Sequence, residues 1–420
     1  MSAWNLLQSL DFVDIVLLFW YTTLLEFPRY VLGAIILPTI ALWWRRPYQL
    51  DTRLALDIVL VGLNEEAAVR KCLNSLAEQT ILELLPHVRI IVVDDGSTDR
   101  MSEIAMEMRR EGKADTVLRL VRRGGKSAGV NLALSECHGD IVIIADIDTT
   151  FDRDAMAIML SYFSDPTVGA VGGNLGVRNA SATLMTRCQA IEYAIGLSLG
   201  RCIADTFGTL TIISGAFGAF RREALEAIGR QDVEVGEDAD LSMKLRRAGW
   251  HLRFAPEAYA LTDVPENVPS FVAQRLRWDR GIITIWSRKF RSVFNPWQST
   301  FRINDVFALL DVILYQVVLA FAFPVYLIWL IYSHGALSGP ILGATLIGYA
   351  ALNLAVFIAT VVSGFRISLS LIVYMPAYTM LQFLIVRPVR LIAIVQELIF
   401  RSSYRDPYVP RHVMDQVDII

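Results

Sequence analysis

The stretch Gly139-Asp140-Ile141-Val142-Ile143-Ile144-Ala145-Asp146-Ile147-Asp148 decides the fold. The apolar run Ile141 to Ala145 reads as a strand buried on both faces, as in a parallel sheet, and it ends in two carboxylates one residue apart. In open α/β sheets ligands bind beyond the carboxyl ends of the strands, so Asp146 and Asp148 stand where chemistry can occur. Two acids there suit a divalent cation, whose oxygen shell a substrate phosphate would complete. The same pair is also compatible with two solvated loop acids that cap the following helix.

Upstream, the rhythm repeats. Residues 57–63 form a strand, and Asn64-Glu65-Glu66 caps a helix with Val69, Cys72, Leu73 and Leu76 on one face. Residues 88–93 form the next strand, which ends in Asp94-Asp95-Gly96-Ser97-Thr98-Asp99 and opens a helix over 100–111. A third strand, 117–121, precedes Arg122-Arg123-Gly124-Gly125-Lys126-Ser127 and a further helix. Four β–α units in succession predict a parallel sheet covered on both sides, with every polar cluster at a strand's carboxyl end. Asp94-Asp95 also fits plain turn chemistry. The Gly-Gly-Lys-Ser piece lacks the spacing of a phosphate loop, yet Lys126 can meet a diphosphate as a point charge.

Downstream, residues 168–175 read as a strand, 181–203 as a long helix, and 212–220 as a strand whose small residues suggest close approach of a ligand. In Gly236-Glu237-Asp238-Ala239-Asp240-Leu241, Leu241 and Leu245 lie one turn apart, which puts Glu237 and Asp238 in the first turn of a helix. The helix dipole favours acids there, and a carboxylate held ionised can serve as general base for a hydroxyl. In residues 271–281, Arg275, Arg277 and Arg280 offer guanidinium forks for phosphate and Trp278 a face for a sugar ring. With Trp286, Arg288, Lys289, Arg291 and Trp297 following, the region equally reads as a basic amphipathic helix on anionic lipid.

Composition supplies the surroundings. At 420 residues, 54% hydrophobic and 19% charged, the chain is too apolar for an ordinary soluble enzyme and too charged to be all membrane. A net charge of -3 without a basic block argues against nucleic acid as a partner. The four cysteines lack Cys-x-x-Cys spacing and read as free thiols in a reducing compartment. Two apolar pieces, 12–25 and 30–44, flank Glu26-Phe27-Pro28-Arg29, and a cleavable signal fits them poorly. Arg45-Arg46 then places the following domain in the cytosol. Residues 312–332, 341–362 and 367–386 are each long enough to cross a bilayer. Three crossings would leave Arg387, Arg390, Arg401 and Arg405 outside, so the third is read as re-entrant or broken at Pro376, with 388–400 an interfacial helix. The expected domains are a membrane anchor over 1–46, a cytosolic α/β domain over 54–281, an interfacial amphipathic segment over 282–304, and a C-terminal transmembrane region over 305–420 with a basic cytosolic or interfacial tail.

Together, Asn64-Glu65, Asp94-Asp95-Gly96-Ser97, Gly125-Lys126, Asp146-Ile147-Asp148, Gly236-Glu237-Asp238 and Gln274-Arg275-Leu276-Arg277-Trp278 resemble, in order and spacing, the membrane-bound family 2 glycosyltransferases. The match looks like the processive synthases of cellulose, chitin, hyaluronan and poly-N-acetylglucosamine. The resemblance implies a GT-A nucleotide-sugar fold with a mostly parallel sheet, flanked by transmembrane and interfacial helices in an integral plasma (inner) membrane protein. It implies inverting transfer from a UDP-sugar, UDP-glucose or UDP-N-acetylglucosamine. Asp95 and Glu65 would contact the uridine with Lys126 nearby. Asp148, assisted by Asp146, would hold Mg²⁺ or Mn²⁺ on the diphosphate. Asp238, beside Glu237, would be the catalytic base. Gln274, Arg277 and Trp278 would close the acceptor site, Arg277 towards diphosphate and Trp278 under the terminal sugar. The family usually has Thr where this chain has Gly236, and Pro early in the Asn-Glu strand where it has Val61-Gly62.

The leading expectation is a polysaccharide synthase that extends a β-linked glycan and passes it through its own helices. The alternative within the same chemistry adds one sugar to a lipid or lipid-linked acceptor, and the few spans keep it open unless a second subunit or an oligomer completes a channel. A transporter or sensor that merely binds nucleotide is the alternative from another class.

Overall fold

The computed structural model describes residues 11–28, 30, 33, 39, 49–295, 297, 298 and 301–416. The apolar piece 30–44 and Arg45-Arg46 lie outside these, apart from residues 30, 33 and 39. Among the described residues one sheet gathers β1 (Leu56–Gly62), β2 (Val88–Asp94), β3 (Thr116–Arg119), β4 (Ile141–Asp146), β5 (Thr150–Phe151), β6 (Val168–Val177), β7 (Phe217–Arg221) and β8 (His251–Thr262), in the order β3-β2-β1-β4-β7-β6-β8-β5. The first four run parallel. Then β7 runs against both β4 and β6, while β6 and β8 are parallel.

Every residue of β1 is buried, as the continuous apolar run demands of a strand covered on both faces. Ile58 and Leu60 enter the core on one side with α1 (Val69–Ala77) and α2 (Met101–Arg110). Val59 and Val61 enter the opposite core with α3 (Lys126–Glu136), so the period-two alternation serves two apolar layers. The predicted face of α1, namely Val69, Cys72, Leu73 and Leu76, is buried as expected.

Local expectations fail at two places. Residues 212–216 are not strand; β7 begins at Phe217, because the backbone before it bends around the Lys126 side chain, whose Nζ takes the Gly215 carbonyl at 3.1 Å. Asn64 does not cap α1 either. Its side chain accepts from the Thr98 amide at 2.9 Å, tying the β1 loop to the Asp94–Ser97 turn. The long helix expected over 181–203 is a continuous run over 184–206 that opens as α4 (Leu184–Glu192) and passes through a wider turn at Tyr193–Leu199.

Beyond α5 (Glu237–Arg247) and α6 (Val268–Thr284) the chain is helical. Among the described residues two runs, Ile303–Val362 and Leu369–Phe400, are long and apolar enough to cross a membrane. The first exposes Phe321, Val325, Ile328, Ile331 and Ile347, an apolar surface that water would not tolerate but lipid would. It is tied back to the α/β domain through Arg246 to Asp305 at 2.9 Å near its start and, just beyond its end, through Arg366 to Asp152. The second run is not broken at Pro376. That proline stands in the first turn of Met375–Leu381, where its missing N–H leaves no bond unmade. The run ends as α7 (Arg387–Phe400), which follows a π turn at Gln382–Val386 and lies alongside α6, with Gln396 accepting from Arg280 at 2.6 Å and Arg390 3.5 Å from Asp279. Arg387 is not left unpaired: it meets Glu26 of the N-terminal helical stretch at 2.6 Å, with the Phe383 ring 4.2 Å away.

Candidate active site

The strands' carboxyl ends and the amino ends of α3 and α5 converge on a cavity of about 320 Å³. Lys126, Asp146, Asp148, Glu237, Asp238, Gln274, Arg277 and Trp278 line it, as do Tyr193, Arg201 and Tyr408. Eight of the ten residues singled out from sequence thus meet in one space. Glu65 and Asp95 do not line it.

Lys126, the first residue of α3, donates to the Asp146 carboxylate and stands 4.0 Å from Glu237. Burial works against its charge, but Asp146, Tyr408 and Glu237 together outweigh it and raise its pKa. A side chain at Gly215 would put a Cβ 3.0 Å from this ammonium, so the small residues of 214–216 make room for Lys126. Burial, and then the charge of Asp146, push Asp148 up to about 6. A carboxylate whose proton affinity is raised by a neighbouring carboxylate in this way calls for positive charge beside it. Among the described residues no group of three or more His, Cys, Asp or Glu is set to hold a metal. Asp146 and Asp148 therefore fit a hard cation only as a two-carboxylate seat whose remaining ligands come from substrate and water.

Glu65 is driven up to about 7 by burial, and then by the charges of Asp148 and Asp146. Asp95 is engaged locally: it accepts from the Gly124 amide at 2.7 Å and the Gly125 amide at 2.9 Å. Gly125, at φ 86°, takes a backbone shape that a side chain would resist, so Asp95 and two glycines build the loop that delivers Lys126.

At the start of α5, Asp238 accepts the Ala239 amide at 2.8 Å through Oδ1. Its neighbour Glu237 is buried and pushed up to about 7 by that burial and by Asp238. Gly236 has a packing reason. A Cβ there would lie 3.1 Å from the Gly281 Cα and 2.9 Å from Ile285 Cδ1, so α5 and α6 cross through two glycines. We expect Gly236→Ala to cost about 1–3 kcal/mol by overpacking, read as a lower melting midpoint.

The basic trio of α6 divides. Arg275 is bound to Glu192 at 2.6 Å and stacks 4.3 Å from the Trp278 ring; Arg280 bonds Gln396 and Asp406. The expectation that all three guanidinium groups serve phosphate is therefore corrected: of these three, only Arg277 lines the cavity, because helical spacing turns its neighbours toward α4 and α7. Gln274 Oε1 is buried without a hydrogen-bond partner.

Sequence reading missed Tyr193, Arg201 and Tyr408. Residues 406–414 fold back from the C-terminal helices over the cavity. Arg123 donates to the Pro407 and Tyr408 carbonyls at 3.3 and 2.7 Å, the Tyr408 ring lies 4.2 Å from the Arg277 guanidinium, and the Tyr408 hydroxyl donates to Glu237 at 3.4 Å. No local motif announces this. Tyr408→Ala should free the segment by about 1 kcal/mol of cation–π attraction, seen as about fivefold faster amide exchange over residues 407–414.

The family described as "Glycosyltransferase like family 2" matches residues 55–281. The chain is 31% identical over 240 residues to a poly-beta-1,6-N-acetyl-D-glucosamine synthase of Staphylococcus epidermidis, across 56% of this chain and 57% of that protein. It is 29% identical over 239 residues to an N-acetylglucosaminyltransferase of Rhizobium meliloti, across 54% and 55%. The matched region thus spans little more than half the length of these relatives. Among solved structures, a mannosyltransferase from Pyrobaculum calidifontis, in complex with GDP-Man and Mn²⁺, superposes with a TM-score of 0.60 at 20% identity, covering 82% of this chain and 98% of that one. That likeness confirms the GT-A architecture.

Proposed function

The chain belongs to glycosyltransferase family 2, and on that premise we propose that it transfers N-acetylglucosamine from its UDP donor, with inversion, onto a growing β-linked glycan at a membrane. The observation that carries this reading is the meeting of Asp146, Asp148, Lys126, Asp238, Gln274, Arg277 and Trp278 in one cavity of about 320 Å³, large enough for a sugar and its leaving diphosphate. The choice of N-acetylglucosamine rests on the named relatives.

Asp146 and Asp148 would hold Mg²⁺ or Mn²⁺, which when bound neutralises diphosphate charge. Lys126, already charged beside them, and Arg277 supply further positive charge where the leaving group gains negative charge. The nucleotide rests against the loop that Asp95 builds, with Glu65 at its edge. Trp278 stacks beneath the acceptor sugar and Gln274 bonds it. The acceptor hydroxyl oxygen attacks the anomeric carbon, its proton passes to Asp238, and the C–O bond to the diphosphate breaks with its electron pair leaving on UDP. The glycan would then leave between helices that carry polar groups such as Glu26 and Arg387 in their interior, with the catalytic domain on the cytosolic face.

The test incubates purified protein with labelled UDP-N-acetylglucosamine or UDP-glucose and Mn²⁺ or Mg²⁺, then sizes the product before and after hydrolases of known linkage. We expect a ladder built from UDP-N-acetylglucosamine and cleaved by a β-N-acetylglucosaminidase. A single lipid-linked addition, or a product from UDP-glucose alone, would contradict the reading.

A further inference from the structure

The helical run 184–206 presents Tyr193 and Arg201 to the catalytic cavity. Other cations of the site have partners: Lys126 has Asp146, Arg275 has Glu192, Arg280 has Asp406, and Arg277 carries the Tyr408 ring. Arg201 differs. Its Nη1 is buried and has no hydrogen-bond partner, and Asp238 acts on it through charge alone. A buried guanidinium nitrogen without a partner is costly, so its presence in a binding cavity points to a ligand that completes it.

Gln274 Oε1, in the same cavity, is a buried acceptor that also lacks a partner. An orphan donor and an orphan acceptor beside a carboxylate and an indole face select a chemistry. A phosphate would satisfy Arg201 but would meet the like charge of Asp238 and leave Gln274 Oε1 facing another acceptor. A sugar hydroxyl both donates and accepts, so a neutral polyhydroxylated ring answers all these groups together.

We propose that Arg201 is a positioning residue for the acceptor: it donates to an oxygen of the terminal acceptor sugar stacked on Trp278 and so turns the nucleophilic hydroxyl toward Asp238. This rests on the transferase reading above. The nearby Tyr193 hydroxyl bounds the same end of the cavity.

The test compares full-length wild type, Arg201→Gln and Arg201→Lys at saturating UDP-N-acetylglucosamine and Mn²⁺, titrating a β-1,6-linked N-acetylglucosamine pentasaccharide as primer. For Arg201→Gln the KM for primer should rise about tenfold or more, as expected for the loss of one charge-assisted hydrogen bond, with the larger effect on KM than on kcat. Arg201→Lys should recover part of it. UDP affinity, read by calorimetry, should stay within about twofold, since the lost contact is on the acceptor side. A primer KM equal to wild type, or UDP affinity falling in step with transfer, would overturn the assignment. A wild type that consumes none of the donor with or without primer would instead overturn the transferase reading, and this assignment with it.

Discussion

Asp238→Asn should lower the turnover of sugar transfer by about 10²–10⁴-fold, the usual contribution of a placed general base, while UDP binding remains as in wild type. The amide is the same size as the carboxylate, and its Oδ1 can still accept the Ala239 amide that Asp238 now holds at 2.8 Å. The start of α5 therefore keeps its shape, and what disappears is the ability to take a proton from the acceptor hydroxyl. Steady-state UDP release in the presence of primer, set beside calorimetric UDP binding, separates the two effects. Activity within a few-fold of wild type would remove Asp238 from the chemistry and return attention to Glu237, its neighbour in the same turn.

Asp148→Asn should act on donor binding. Asp146 and Asp148 are the two carboxylates that the proposal assigns to the cation, and Lys126 already engages Asp146. Losing the second carboxylate leaves one ligand shared with an ammonium. Loss of an outer-shell partner of a metal typically costs 10–100-fold in affinity, and a direct ligand should cost at least as much, so Mn²⁺-dependent UDP binding should weaken by about 100-fold or more. The fold itself should not suffer. Burial and the charge of Asp146 already make an ionised Asp148 unfavourable, so the neutral amide should leave the melting midpoint of the metal-free protein unchanged or slightly higher. A lowered midpoint together with intact Mn²⁺-dependent binding would assign Asp148 to structure.

What the sequence made legible follows from where its signals are local. The opening strand, Ile141–Asp146, is strand for the reason its apolar run implies, and the carboxyl-end rule brings Lys126, Asp146 and Asp148 to one place. Helical spacing likewise identified the buried face of α1. The unreadable parts depend on contacts distant in sequence. Gly236 departs from its family's usual residue because Gly281, 45 positions on, touches it. Gly215 makes room for the ammonium of a lysine of α3, 89 positions away. Tyr408 reaches the cavity only because α7 lies along α6, and nothing in its own neighbourhood encodes that. Arg201 did leave a trace, the one charge between Glu192 and Asp205 in an otherwise apolar part of a long helix, which is a pattern worth weighing as a site signal when the helix borders a crevice.

The central claim is that this cavity moves a sugar from a nucleoside diphosphate to an acceptor. Its most direct test is the amount of UDP released by purified protein given UDP-N-acetylglucosamine, primer and Mn²⁺, counted against N-acetylglucosamine incorporated into the primer. The account predicts one UDP per sugar added, with both quantities lost together in Asp238→Asn. UDP release without incorporation, or no release with either metal, would contradict it.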